Sequence, residues 1–252
     1  MRVAVLPPHR PPPRKGGANQ NNPVRLKETS LLEEMKSLES SSMSPLFQNL
    51  RNFLNERQTE TESILPDRKR ILTQLSESIL ESFENRSKAT ILFVCTQNSR
   101  RSQISQIFGA AIPQFLGIPG IKAFSGGTEI SAFHPNAITA LESIGFRIEN
   151  EGPPRNPKYS IRWADGTPAL IAFSKKFSDP PNPHRDFIVI MVCSTADEAC
   201  PYVAGAEARI SLPFEDPKSA DDTPEVISKY TETCERIARE LLFTFQLVKN
   251  KI

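Results

Sequence analysis

Long apolar runs are missing from this sequence. No window approaches the roughly 18 uninterrupted apolar residues of a membrane span, and the N-terminus lacks the apolar centre of a signal peptide. These absences argue for a cytoplasmic chain with no membrane partner. A dominant charge is missing too: 31 Lys and Arg against 29 Asp and Glu leave +2, so nucleic acid is not a demanded partner. Cysteine is sparse, with Cys95, Cys193, Cys200 and Cys234 the four present. A static disulfide framework is improbable at that density in a chain of this size, which leaves buried bulk or chemistry as their use.

What is present divides the chain of 252 residues into a tail, an extension and one sizeable domain. Residues 1–44 hold prolines at 7, 8, 11, 12, 13 and 23, an Asn/Gln cluster and a serine run, the composition of a disordered low-complexity tail. Residues 1–27 carry six basic side chains and no acid, as transit peptides do, but six prolines break the amphipathic helix such a peptide needs. Over 45–88, Leu46, Phe47, Leu50, Phe53 and Leu54, then Ile71, Leu72, Leu75, Ile79, Leu80 and Phe83 recur at helical spacing, with Pro66-Asp67 between them. This predicts a helical hairpin docked on the domain that follows or on a partner subunit, the latter making a homodimer.

Residues 89–252 alternate strand and helix. The run ending in Cys95 is apolar on both faces, as a central parallel strand is. A helix opens at Arg101-Ser102 and is expected to end at Pro113; a strand at 121–124 leads into Ser125-Gly126-Gly127; a helix follows from about 134 to 144. Strands at 187–192 and 208–212 and a long helix over 225–248 complete the pattern. The fold class is α/β, a doubly wound parallel sheet of about four strands flanked by helices. An insertion at about 150–184, with seven prolines and two β-like pieces at 159–163 and 169–173, is read as a β-hairpin placed to shape substrate access.

A strand that ends in Cys95 and turns within five residues into a helix at Arg101 must curl over the helix N-terminus. Its N–H groups then converge and the helix dipole adds positive potential, a cradle for a tetrahedral dianion. Thr96, Gln97, Asn98, Ser99, Arg100, Arg101 and Ser102 form that oxyanion-binding loop, with no metal required. Arg101 brings a planar fork that matches two oxygens. The same field favours the Cys95 thiolate, the nucleophilic form; Ser102 can donate to the sulfur, and Asn98 tolerates positive φ. Asp216, in Phe214-Glu215-Asp216-Pro217 after the last strand, lies at the same sheet edge and is a candidate general acid. Cys193 and Cys200 also follow a strand there. Seven residues of helix separate the two sulfurs by roughly 10 Å, too far for a disulfide unless the segment unwinds. They fit a thiol relay from Cys95, or equally one buried and one exposed cysteine. Cys234, inside the closing helix, is assigned to packing.

Val94-Cys95-Thr96-Gln97-Asn98-Ser99-Arg100-Arg101-Ser102, together with Asp216-Pro217, Ser125-Gly126-Gly127 and His134-Pro135-Asn136-Ala137, resembles the low-molecular-weight protein tyrosine phosphatase superfamily over about 90–249. Within it, 193–201 resembles the redox segment of thioredoxin-coupled arsenate reductases. The resemblance implies that Cys95 attacks arsenate, Cys193 attacks the adduct to release arsenite, and Cys200 takes over the disulfide for a thioredoxin-like reductant. It implies no bound cofactor. Lys218-Ser219-Ala220 stands where phosphatases of the superfamily place paired aromatics. Gln97 replaces a usual loop glycine, Arg100 a second loop cysteine, and Gln106 the glutamate of potassium-stabilised members, which argues against a potassium site. Two further readings stand beside the reductase: a phosphatase that hydrolyses phosphomonoesters through a phosphocysteine, and a non-catalytic anion-binding or scaffold module.

Overall fold

A computed structural model describes residues 45–252 except 153, 154, 200 and 201. The expected disordered tail at 1–44 and Cys200 therefore lie outside the described residues. Two helices come first, α1 (Gln48–Thr59) and α2 (Pro66–Arg86), then β1 (Ala89–Cys95), α3 (Arg101–Leu116), β2 (Ile121–Gly127) and α4 (Pro135–Ser143). A small antiparallel unit follows, β3 (Arg147–Asn150), β4 (Tyr159–Arg162) and β5 (Leu170–Ala172). The chain closes with β6 (Phe187–Met191), α5 (Ser194–Ala199), β7 (Ala206–Ser211) and α6 (Val226–Lys249). A parallel sheet in the order β2-β1-β6-β7 is flanked by helices, the α/β class expected. β1 lies inside this sheet, and six of its seven residues are buried.

The helical hairpin packs on α6 of the same chain. Leu50, Leu54, Leu72, Leu75 and Ile79 are fully buried and belong to the same continuous core as the sheet. Burial at about 1.5–3 kcal/mol for each such side chain makes this contact a large part of the stability. Of the two docking surfaces expected for the hairpin, the contact seen is with the chain's own α/β domain.

Two local expectations are corrected. Pro113 does not end its helix: α3 runs through it to Leu116. A proline removes one hydrogen bond, to the carbonyl four residues back, and so close to the helix end that loss is tolerated; the stop comes at Gly117, with φ +75. β2 extends past 124 to Gly127, in register with β1 to the pair Cys95–Gly127. A Cβ on Gly127 would lie 2.6 Å from the Thr96 carbonyl oxygen and 2.8 Å from the Asn98 nitrogen, so only glycine lets this strand approach the loop after Cys95. The inserted β-hairpin is present as β4 and β5, and β3, just before the insertion, adds a third strand to it.

Candidate active site

The loop between β1 and α3 is held by its carbonyl groups. The oxygen of Cys95 accepts from Thr128 N–H, that of Thr96 from Glu129 N–H, and that of Ser99 from His134 N–H, at 3.2, 2.8 and 3.0 Å. The Gln97 oxygen accepts from the hydroxyls of Ser131 and Ser174 at 3.1 and 2.9 Å, and the Asn98 oxygen from Gln103 Nε2 at 3.1 Å. In a trans peptide plane the N–H points opposite to the C=O. Five carbonyls turned outward thus aim the next five N–H groups into the loop, above the N-terminus of α3, an anion cradle built by hydrogen bonds on its outside.

Asn98 sets the turn. Its φ is +47, a region that Asn tolerates, and its buried side chain donates to Ser102 Oγ at 2.9 Å while accepting from Lys175 N–H at 3.0 Å. The left-handed residue is Asn98, so Gln97 in the usual glycine position needs no positive φ. Cys95 is buried with its Sγ 3.0 Å from Ser102 Oγ. Arg101 donates from Nη1 to the Phe214 carbonyl at 2.9 Å and from Nη2 to Asp216 Oδ2. Its Nε is buried without a hydrogen-bond partner among the described residues. Asp216 Oδ1 also accepts from Lys218 N–H. Cys95, Thr96, Gln97, Ser99, Arg100, Arg101, Thr195, Asp216 and Lys218 line one open pocket of about 180 Å³. The structure therefore brings together the loop, the acid-loop residue and Thr195, two residues past Cys193.

Cys193 is buried, with its Sγ 3.6 Å from Thr96 Oγ1 and 3.4 Å from Ala196 N at the start of α5. Asp197 anchors that short helix, accepting from Arg209 and Ser211 on β7 at 2.5 Å each. Cys234 is fully buried in α6, and burial pushes its thiol up. Gln106, in the place of a potassium-site glutamate, donates to the Ala123 carbonyl and accepts from Ser125 Oγ at 2.5 Å.

Sequence reasoning missed a polar cluster beside the loop. Arg100 lines the pocket, and its guanidinium donates to Tyr230 Oη and to Asp221 Oδ2, both at 2.5 Å. Tyr230 donates to Asp221 Oδ1 at 2.7 Å, and Asn136 Nδ2 to the same oxygen at 3.2 Å. Burial alone would raise the Asp221 carboxyl, yet the hydrogen bonds from Tyr230 and Arg100 hold it below the usual range. Burial and then the Arg100 charge hold His134 below its ordinary value.

Among the described residues, none of the insertion lines the pocket; its exit segment braces the loop from behind, through Ser174 Oγ on the Gln97 oxygen and Lys175 N–H on Asn98. Lys175 is buried, its Nζ 4.8 Å from the Phe173 ring centre, and burial lowers its amine to about 8 from 10.5. Between those values the unfolded chain binds the extra proton, so stability rises with pH there. Lys175→Met is expected to stabilise the protein below pH 8 and to lose that advantage as pH climbs toward 10.5, read from denaturant midpoints at several pH values. An advantage that is independent of pH contradicts this.

No family model matches the chain. Curated relatives do. A protein named arsenate reductase from Bacillus anthracis (strain CDC 684 / NRRL 3495) is 31% identical over 153 residues, 61% of this chain and 94% of the relative. Arsenate reductase 2 of Staphylococcus epidermidis is 32% identical over 130 residues, covering 52% and 79%. A solved low-molecular-weight protein tyrosine phosphatase from T. tengcongensis is 19% identical, with a TM-score of 0.43 and coverage of 63% of this chain and 99% of that one. The sequence relatives carry the assignment: this chain belongs to the family of enzymes named arsenate reductase.

Proposed function

We propose that the protein reduces arsenate through a cysteine relay. The observation that carries this reading is the buried Cys193 sulfur, 3.6 Å from the hydroxyl of Thr96, the residue next to Cys95. Cys95 attacks arsenic(V) and displaces one oxygen, which leaves as water with a proton from Asp216; the cradle N–H groups and Arg101 hold the remaining oxygens. Cys193 then attacks the Cys95 sulfur. A Cys95–Cys193 disulfide forms, the electron pair of the broken S–As bond stays on arsenic, and arsenite departs. Cys200 attacks Cys193, frees Cys95 and leaves a Cys193–Cys200 disulfide for a dithiol reductant of thioredoxin type. Support for a small oxyanion comes from the pocket: Lys218 lines it, and none of its described lining residues is aromatic.

The same first step on a phosphomonoester gives a phosphocysteine, and the presence of Asp216 in the same pocket as Cys95 supports this as a second activity. The test is one arsenate turnover without added reductant, followed by mass spectrometry. One equivalent of arsenite and a Cys193–Cys200 disulfide are expected. Cys193→Ser should stop before arsenite release yet keep phosphomonoester hydrolysis; arsenite formed by that variant at the parent rate rejects the relay.

A further inference from the structure

The helical extension reaches the acid loop through one side chain. Arg68, on the first turn of α2, is mostly buried and places its guanidinium carbon 4.9 Å from the centre of the Phe214 ring. It is held there by Glu240 of α6, whose buried carboxylate accepts from Arg68 Nε at 2.8 Å and from Arg236 at 3.4 Å. Arg68 Nη2 is buried with no hydrogen-bond partner among the described residues, so the Phe214 ring is what this end of the fork meets. Phe214 is itself buried and fixed at both backbone ends. Its N–H donates to the Val192 carbonyl at 3.1 Å, and its own carbonyl accepts from Arg101 Nη1 at 2.9 Å. Two residues on is Asp216, paired with the other arm of the same arginine.

We propose that Arg68 is a positioning residue for the reaction, holding Phe214 so that its carbonyl aligns the Arg101 fork and Asp216 stands at the pocket. The proposal deepens the functional reading and rests on it for the role of Asp216 as general acid. The physical case is one of cost. A buried arginine–glutamate pair loses much of its hydration, and its mutual attraction often only balances that loss, so packing alone gives little reason for this pair where a leucine would fill the space. A planar cation over an aromatic face, by contrast, fixes ring position in a way that an aliphatic chain does not. The extension thereby acts on the chemistry without touching substrate.

The test uses the full chain and two aryl phosphates, p-nitrophenyl phosphate, whose leaving group departs unaided, and phenyl phosphate, which needs a proton from the acid. Arg68→Lys keeps the charge beside Glu240 and loses the stack; Arg68→Met with Glu240→Leu removes both charges together and guards against a folding failure. In each, kcat for phenyl phosphate should fall on the order of tenfold or more relative to that for p-nitrophenyl phosphate. Hydrogen exchange over residues 213–221 should quicken in both variants. Equal losses on the two esters, or unchanged exchange in that segment, overturn the proposal. A parent protein that hydrolyses neither ester and reduces no arsenate sinks the functional reading instead, and exchange alone then decides whether Arg68 orders the loop.

Discussion

Cys95→Ser is expected to abolish the proposed arsenate reduction and phosphomonoester hydrolysis together, by about four orders of magnitude or more. The hydroxyl would occupy the same place, 3.0 Å from Ser102 Oγ and buried among the same β1 neighbours, so the fold and the anion cradle remain. What is lost is the nucleophile: an alcohol gives up its proton far less readily than a thiol, and no described side chain hydrogen-bonded to Cys95, Ser102 being the one, is a base that can take that proton. Pre-steady-state measurement with the purified variant checks this. Inorganic phosphate should still bind. Turnover within about a hundredfold of the parent places the nucleophile elsewhere and overturns the site.

Arg101→Lys is the second large effect, expected to lower kcat/KM by about 10²–10³. Lysine keeps the charge, so a purely Coulombic site would be little affected. The present geometry is not purely Coulombic: one arm of the guanidinium is on the Phe214 carbonyl, the other on Asp216, and the buried Nε has no partner among the described residues. A single ammonium cannot span these positions and still offer two parallel donors to an oxyanion. Weaker competitive inhibition by phosphate should accompany the loss of rate. A lysine variant with near-parent kcat/KM would show that the fork is dispensable.

Much of this was legible in the sequence because it is local. The helical spacing of Leu50, Phe53 and Leu54 and of Leu72, Leu75 and Ile79 reports burial directly, and all six are buried. The apolar run before Cys95 marks an interior strand for the same reason. β3 was missed because Arg147–Asn150 has one apolar residue and none of its side chains is buried, so the sequence carries no core pattern there. Pairings across long separations were also out of reach. Arg100 meets Tyr230, 130 positions away, and Arg68 meets Glu240, 172 positions away; nothing in either neighbourhood signals the partner until the closing helix is folded back. The clue to Arg100 was available only as an oddity, two adjacent arginines in a loop that calls for one.

One consequence of the loop's construction concerns the folded protein before any guest arrives. Five peptide dipoles are locked nose-inward by bonds on their far side, so like ends crowd together and folding itself must bear that repulsion. An occupied ring relieves it. Dissolved inorganic anions are therefore expected to stabilise this protein against unfolding, so that its resistance to denaturant should rise with added phosphate.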